Sequence, residues 1–210
     1  MRQHATPAVL DVPAGARQRI GLLGGSFNPA HRGHLLISQV AVKLLKLDRV
    51  VWLVTPRNPL KAPESLNAYA QRVCSARSVA GRDRRITVSE IEARAGLNYT
   101  IDTVRLLARL RPATRFVFLM GADNLTSLPR WRNWTGLLAA IPIAVFARPG
   151  IDLAACGTKV AQRYGRLRLP LAQAARLASG RPPIWLYVPF THEASSATAI
   201  RAAGVWPPKR

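Results

Sequence analysis

The chain has 210 residues, 49% of them hydrophobic, and a formal net charge of +21. That apolar content suffices for a sizeable core, and no apolar run approaches the roughly 18 residues that a transmembrane helix needs. Five of the 31 basic residues are Lys and 26 are Arg. Such a surplus favours polyanionic ligands such as nucleotides, nucleic acid or an acidic surface. The arginines are scattered (Arg72, Arg77, Arg105, Arg109, Arg166, Arg176) and read as solvated helix faces. The two cysteines, Cys74 and Cys156, form no CxxC or Cys/His cluster. A disulfide framework or structural zinc site is therefore not expected; buried, reduced thiols are.

Residues 1–18 mix Pro, Ala, Gly and Arg without the apolar core of a signal peptide, so a loose tail and a cytoplasmic location are expected. From residue 19 to 210 short apolar runs alternate with helical stretches, consistent with one domain. RIGLLGG reads as a strand ending in glycines, and HLLISQVAVKLLKL has apolar residues at helical spacing. VVWLV is short and β-branched, as buried parallel strands are. NAYAQRVCSARSVA reads as a helix, RITVSEI as a strand, and YTIDTVRLLARL as a helix ending before Pro112. RFVFLMGAD and IPIAVFARPG read as further strands, LAQAARLAS as a helix, IWLYVPF as the last strand and SATAIRAAG as a short helix. This alternation predicts an α/β fold, a doubly wound, Rossmann-like parallel sheet covered on both faces with a small C-terminal helical element. In such sheets ligands bind beyond the carboxyl ends of the strands, where the strand order reverses.

The segment Gly24-Gly25-Ser26-Phe27-Asn28-Pro29-Ala30-His31-Arg32-Gly33-His34 follows the first strand and opens the first helix. Two glycines allow close backbone approach. A helix opening near Gly33 offers unpaired N–H groups and a positive dipole end. His31 and His34, three apart, face one point within a turn. Phosphate oxygens suit such a set. Without a carboxylate or third imidazole nearby it does not suit a metal ion.

GGSFNPAHRGH closely resembles the GGSFNPxHxGH signature of nicotinate and nicotinamide mononucleotide adenylyltransferases. Its HxGH part is shared with the wider nucleotidylyltransferase superfamily and with class I aminoacyl-tRNA synthetases, whose KMSKS-like loop has no counterpart here. Pro59-Leu60-Lys61, Asn98-Tyr99-Thr100-Ile101-Asp102-Thr103, Gly121-Ala122-Asp123-Asn124 with Trp131, and Ser196-Ala197-Thr198-Ala199-Ile200-Arg201 resemble, in order, segments of the bacterial nicotinate branch. Ala197 departs from the SSTxIR pattern, which removes one hydroxyl. The resemblance covers roughly residues 20–203.

It implies transfer of the adenylyl group of ATP to nicotinate mononucleotide, with release of pyrophosphate, in NAD biosynthesis. His31, His34 and Arg201 would be catalytic. Gly24, Gly25, Ser26, Phe27, Gly121, Ser196 and Thr198 would join them in binding ATP. Asn28, Lys61, Tyr99, Thr100, Asp123 and Trp131 would bind the acceptor. Magnesium would arrive bridged by substrate oxygens, with no protein ligand. The expected partners are these two small molecules, with no membrane and no specific nucleic acid.

Each assignment has a plainer alternative. Lys61 in its Pro-rich loop reads also as solvated charge, Thr100 as a helix cap, Asp123 as a cap for the next segment, and Trp131 as core. Arg148 reads also as the partner of a helix rather than of a nucleotide, and Arg201 as a helix-face charge. Two rival functions remain at this point: a nucleotidylyltransferase acting on nicotinamide mononucleotide or phosphopantetheine, and a basic nucleic-acid-binding protein with a steep salt dependence.

Overall fold

The computed structural model describes residues 11–12, 17–57, 66–147 and 157–189. Its first strand, β1 (Arg19–Gly25), lies in the middle of the sheet, flanked in parallel by β2 (Arg49–Val54) and β4 (Arg115–Gly121). Outside them run β3 (Ile86–Ser89) on one side and β5 (Ile143–Phe146), β7 (Trp185–Val188) and β6 (Arg168–Leu169) on the other. The order is β3-β2-β1-β4-β5-β7-β6, with every pairing parallel. The order reverses between β1 and β4, which places a ligand crevice beyond Gly25 and Gly121.

Alternate residues of each strand enter two cores, as the period of two requires. Ile20, Leu22, Val51, Leu53, Phe118 and Met120 pack under α4 (Thr100–Leu110), α5 (Ala122–Ser127) and α6 (Trp134–Ala140). Leu23, Val50, Trp52, Val117, Leu119 and Phe146 pack under α1 (Arg32–Leu44), α2 (Tyr69–Ala80) and a 3-10 helix over Leu171–Ser179. The expected doubly wound sheet is thus present, while the expected C-terminal helix over SATAIRAAG lies outside the described residues.

Several elements differ from the sequence reading. RITVSEI is a strand only to Ser89, and the short α3 (Ile91–Arg94) follows. Asp11 causes the turn: its carboxylate accepts from the Glu90 N–H at 2.8 Å and from the Ser89 hydroxyl, and Arg94 pairs with it at 3.4 Å. Val12 is buried in the core. Asp11 and Val12, inside the stretch expected to be a loose tail, are therefore docked. Ala122 and Asp123 open α5 rather than ending a strand. LAQAARLAS is a 3-10 helix, and α6, α7 (Lys159–Tyr164) and the two-residue β6 add to the expected set. Cys74 is exposed on α2 instead of buried; Cys156 lies outside the described residues.

Candidate active site

The two glycines that end β1 each leave space for an aromatic ring. A Cβ on Gly24 would come within 3.2 Å of Phe118 Cζ, and one on Gly25 within 3.3 Å of Phe27 Cε2. On one face Phe118 then meets Trp131 edge-on at 6.2 Å. On the other, Phe27 stacks on Trp52 at 5.2 Å. The glycines therefore set the floor of the crevice by packing, in addition to any close approach of a ligand.

Phe27 adopts φ 48°, a left-handed backbone that costs a bulky residue on the order of 1–3 kcal/mol. Burial of its ring at 2% exposure offsets that strain. The Phe27 side chain thus supports the crevice from below, and its backbone is the part left to face a ligand. Asn28 is also 2% exposed, and its Oδ1 accepts from the Asn67 N–H at 3.2 Å. That bond ties the loop to the approach of α2. The Ala30 N–H adds a second tie, to Ser75 Oγ at 3.1 Å.

Helix α1 begins at Arg32, one residue earlier than read, with His31 as its N-cap in extended conformation. The His31 N–H donates to His34 Nδ1 at 3.2 Å, so the His34 ring satisfies an orphan donor of the helix end. A neutral imidazole that accepts at Nδ1 carries its proton at Nε2, which makes that nitrogen a donor. The two rings lie 3.9 Å apart, tilted by 48°. His34 also packs on Phe27 at 4.7 Å. Behind them Trp52 Nε1 donates to Ser38 Oγ, and Ser38 donates to the His34 carbonyl, both at 2.8 Å. His31 is buried and His34 half-buried, so the pair forms a fixed wall with one edge toward the crevice.

Across the crevice, Gly121 ends β4 and is the N-cap of α5, with the exposed Asp123 in the first turn. Tyr99 is the N-cap of α4 and Thr100 its first residue. No side-chain hydrogen bond caps this helix, so Thr100 is not explained as a cap. Thr103 donates instead to Glu92 Oε1 at 2.8 Å. Burial holds the Glu92 carboxyl above its ordinary range, with that hydrogen bond acting in the other direction. The Arg132 guanidinium lies 4.6 Å over the Tyr99 ring. Tyr99 and Trp131 are both half-buried against the same core cluster. The structure thus gathers His31, His34, Gly24, Gly25, Ser26, Gly121, Asp123, Tyr99, Thr100 and Trp131 around the carboxyl ends of β1 and β4. Lys61, Arg148, Ser196, Ala197, Thr198 and Arg201 lie outside the described residues.

Two residues that sequence reasoning passed over stand at this site. One is Arg132, beside Trp131. The other is Arg72, read as a solvated helix charge and in fact 1% exposed. The signal was available: Tyr69, Arg72, Val73, Ala76 and Ala80 share one helical face, and on that face Arg72 sits within the buried stripe.

Residues 22–203 match the family model described as cytidylyltransferase-like. A probable nicotinate-nucleotide adenylyltransferase of Parvibaculum lavamentivorans is 45% identical over 188 residues, 90% of this chain and 93% of that one. Another, of Methylorubrum extorquens, is 47% identical over 183 residues, 87% of this chain and 98% of that one. The chain belongs to the nicotinate-nucleotide adenylyltransferase family. Among solved structures, the nicotinic acid mononucleotide adenylyltransferase of Plasmodium falciparum, in complex with NaAD, superposes with a TM-score of 0.66. The match covers 88% of this chain and 83% of that one at 16% identity, and so speaks for the fold. As a nicotinate-nucleotide adenylyltransferase the chain is a nucleotidyltransferase, and the crevice beyond β1 and β4 is its candidate active site.

Proposed function

We propose that this crevice transfers the adenylyl group of ATP to the 5′-phosphate of nicotinate mononucleotide, giving nicotinate adenine dinucleotide and pyrophosphate. The observation that carries the assignment is the His31–His34 pair, with rings 3.9 Å apart at the opening of α1, directly after the central strand. Imidazole donors beside a helix N-terminus suit phosphate oxygens and the charge that develops on them.

The acceptor phosphate has a second pKa of about 6 and is already anionic at neutral pH, so it needs no protein base. One of its oxygens attacks the α-phosphorus of ATP in line. The new P–O bond forms as the bond from the α-phosphorus to the bridging oxygen breaks, and pyrophosphate leaves with that electron pair. The protein's contribution is positioning and charge stabilisation. His34 Nε2–H and the backbone N–H groups that open α1 hold phosphate oxygens. Ser196, Thr198 and Arg201 take the β- and γ-phosphates, and Lys61 takes the acceptor phosphate; both assignments rest on the sequence resemblance. Asn28 acts by holding the loop, and Tyr99, Thr100, Asp123 and Trp131 form the acceptor end.

Among the described residues no group of three His, Cys, Asp or Glu is placed to hold a metal ion. Magnesium is proposed to arrive as the ATP complex, coordinated by polyphosphate oxygens and water. No helix among the described residues is long and apolar enough to cross a membrane. A cytoplasmic site of action is the location proposed.

The decisive experiment is an acceptor panel. Purified protein with ATP, magnesium and nicotinate mononucleotide should release pyrophosphate and form the dinucleotide. Nicotinamide mononucleotide and phosphopantetheine are the comparison arms. Turnover confined to either of those would replace the assignment of acceptor, and no turnover with any would end the reading.

A further inference from the structure

A buried cation normally sits beside a buried anion, because an isolated charge loses its hydration without return. Arg72 departs from that pattern. Its guanidinium donates to four main-chain carbonyls: Nη1 to Ser26 at 2.6 Å and Thr55 at 2.8 Å, Nη2 to Pro56 at 2.9 Å, and Nε to Asn67 at 3.1 Å. The Tyr69 ring covers it at 5.2 Å, and the Tyr69 hydroxyl donates to Val54 O at 3.3 Å. Among the described residues no Asp or Glu pairs with it. Burial holds its pKa below the ordinary arginine value, and the neighbouring Tyr69 acts in the other direction.

The four carbonyls belong to three different pieces of the crevice. Ser26 lies in the turn after β1 that precedes the histidines. Thr55 and Pro56 follow β2. Asn67 leads into α2 and also donates its N–H to Asn28. One planar fork therefore joins the ends of two neighbouring strands and the start of a helix. A guanidinium has the donor number and rigidity for this, and an ammonium does not. Its charge also lies within hydrogen-bonding distance of the turn proposed to bind phosphate.

We propose that Arg72 is a positioning residue for adenylyl transfer: it holds the glycine turn in register with the loop after β2, and its buried charge complements the substrate phosphates when they bind. This rests on the adenylyl-transfer reading above. Wild-type turnover with nicotinate mononucleotide, measured in the same assay, tests that reading separately. A merely structural Arg72 would fill carbonyls and lower stability without changing the kinetics of molecules that remain folded.

The test compares Arg72→Lys, Arg72→Met and Val73→Ala for Tm, kcat and the KM of each substrate, with every assay run well below that variant's Tm. Val73 lies in the core on the same helix and touches none of the loops through hydrogen bonds, so its truncation controls for a weakened α2. Arg72→Lys keeps the charge and loses the fork. It should raise KM for both ATP and the acceptor and lower kcat/KM by about 10–100-fold, the scale of a misplacement near 1 Å. Arg72→Met removes the charge as well and should lose about a further tenfold. Val73→Ala should lower Tm with wild-type constants. Wild-type kcat and KM in Arg72→Lys would overturn the proposal, as would an equal KM rise in Val73→Ala. Equal kinetics in the Met and Lys variants would overturn the role of the charge. If the Met variant does not fold, the Lys and Ala variants decide the positioning role.

Discussion

In the proposed mechanism His34 performs two separable tasks, and one substitution can pull them apart. Its Nδ1 accepts the His31 N–H at 3.2 Å and so serves the end of α1. Its Nε2–H is the donor proposed for phosphate oxygens. His34→Ala removes both. Loss of one well-aimed donor to developing charge lowers kcat by about 10²–10³. The orphaned N–H of His31, which is 5% exposed, adds a desolvation cost of about 1–3 kcal/mol. In a chain of this size that amounts to about 2–4 °C in Tm for each kcal/mol. His34→Gln separates the terms. Gln at the third helical position reaches back to the N-cap N–H in an ordinary capping box, so most of the stability returns. Its amide N–H, on a flexible stem, is not held rigidly where Nε2 stood, so kcat stays low. Pyrophosphate release at saturating substrates and thermal melts of the three proteins measure both. A Gln variant with near-wild-type kcat would remove His34 from the transition state. An Ala variant with an unchanged Tm would remove it from the helix cap.

Four further outcomes are expected. The acid acceptor should be preferred to its amide by about 10² or more in kcat/KM, because two charge-assisted hydrogen bonds of roughly 1.5–3 kcal/mol each distinguish them. Trp131→Ala should weaken both acceptors while leaving that ratio largely intact, since a ring face does not tell a carboxylate from a carboxamide; a collapsed ratio would show that Trp131 also aims the donors. Arg201→Ala should raise KM for ATP more than for the acceptor, reflecting a forked partner for phosphate oxygens; equal effects would indicate a disturbed C-terminal segment. Glu92→Gln should change the pH dependence of stability: burial raises the folded pKa of Glu92 above its unfolded value, so the folded state binds the extra proton and the wild type loses stability as pH rises from about 4.5 towards the folded pKa. The Gln variant's stability relative to wild type should therefore improve from acid to neutral pH in chemical denaturation series, and a flat difference would mean that Glu92 is ionised and compensated.

The parts of this fold that show in the sequence are those whose residues share one environment. VVWLV and RFVFLM are continuous apolar runs because both faces of β2 and β4 are buried, and the four-turn stripe of α1 repeats long enough to declare its period. Elements α3, α5, α6 and α7 are four to seven residues long, less than two full turns. Their limits are set by contacts from elsewhere, as when Asp11 turns the chain at Glu90. The histidines were visible because the motif lies in one unbroken segment. The proposed acceptor end rests on resemblance, since Tyr99 and Trp131, which pack against one core cluster, lie 32 positions apart in sequence.

Arg72 marks a different limit. Its place on the stripe of α2 contradicts its polarity, and a single sequence offers two resolutions: the stripe is imperfect there, or the charge is buried for a reason. The choice depends on where the carbonyls of Ser26, Thr55, Pro56 and Asn67 converge, and no local pattern encodes that. Burying a cation among loop carbonyls costs stability that a Leu at the same position would not. Retaining it is reasonable where the loops must be held in one arrangement and the ligand is itself a polyanion. A local rule broken without a local compensation is, in this chain, the strongest single pointer to the site that the helical pattern contains.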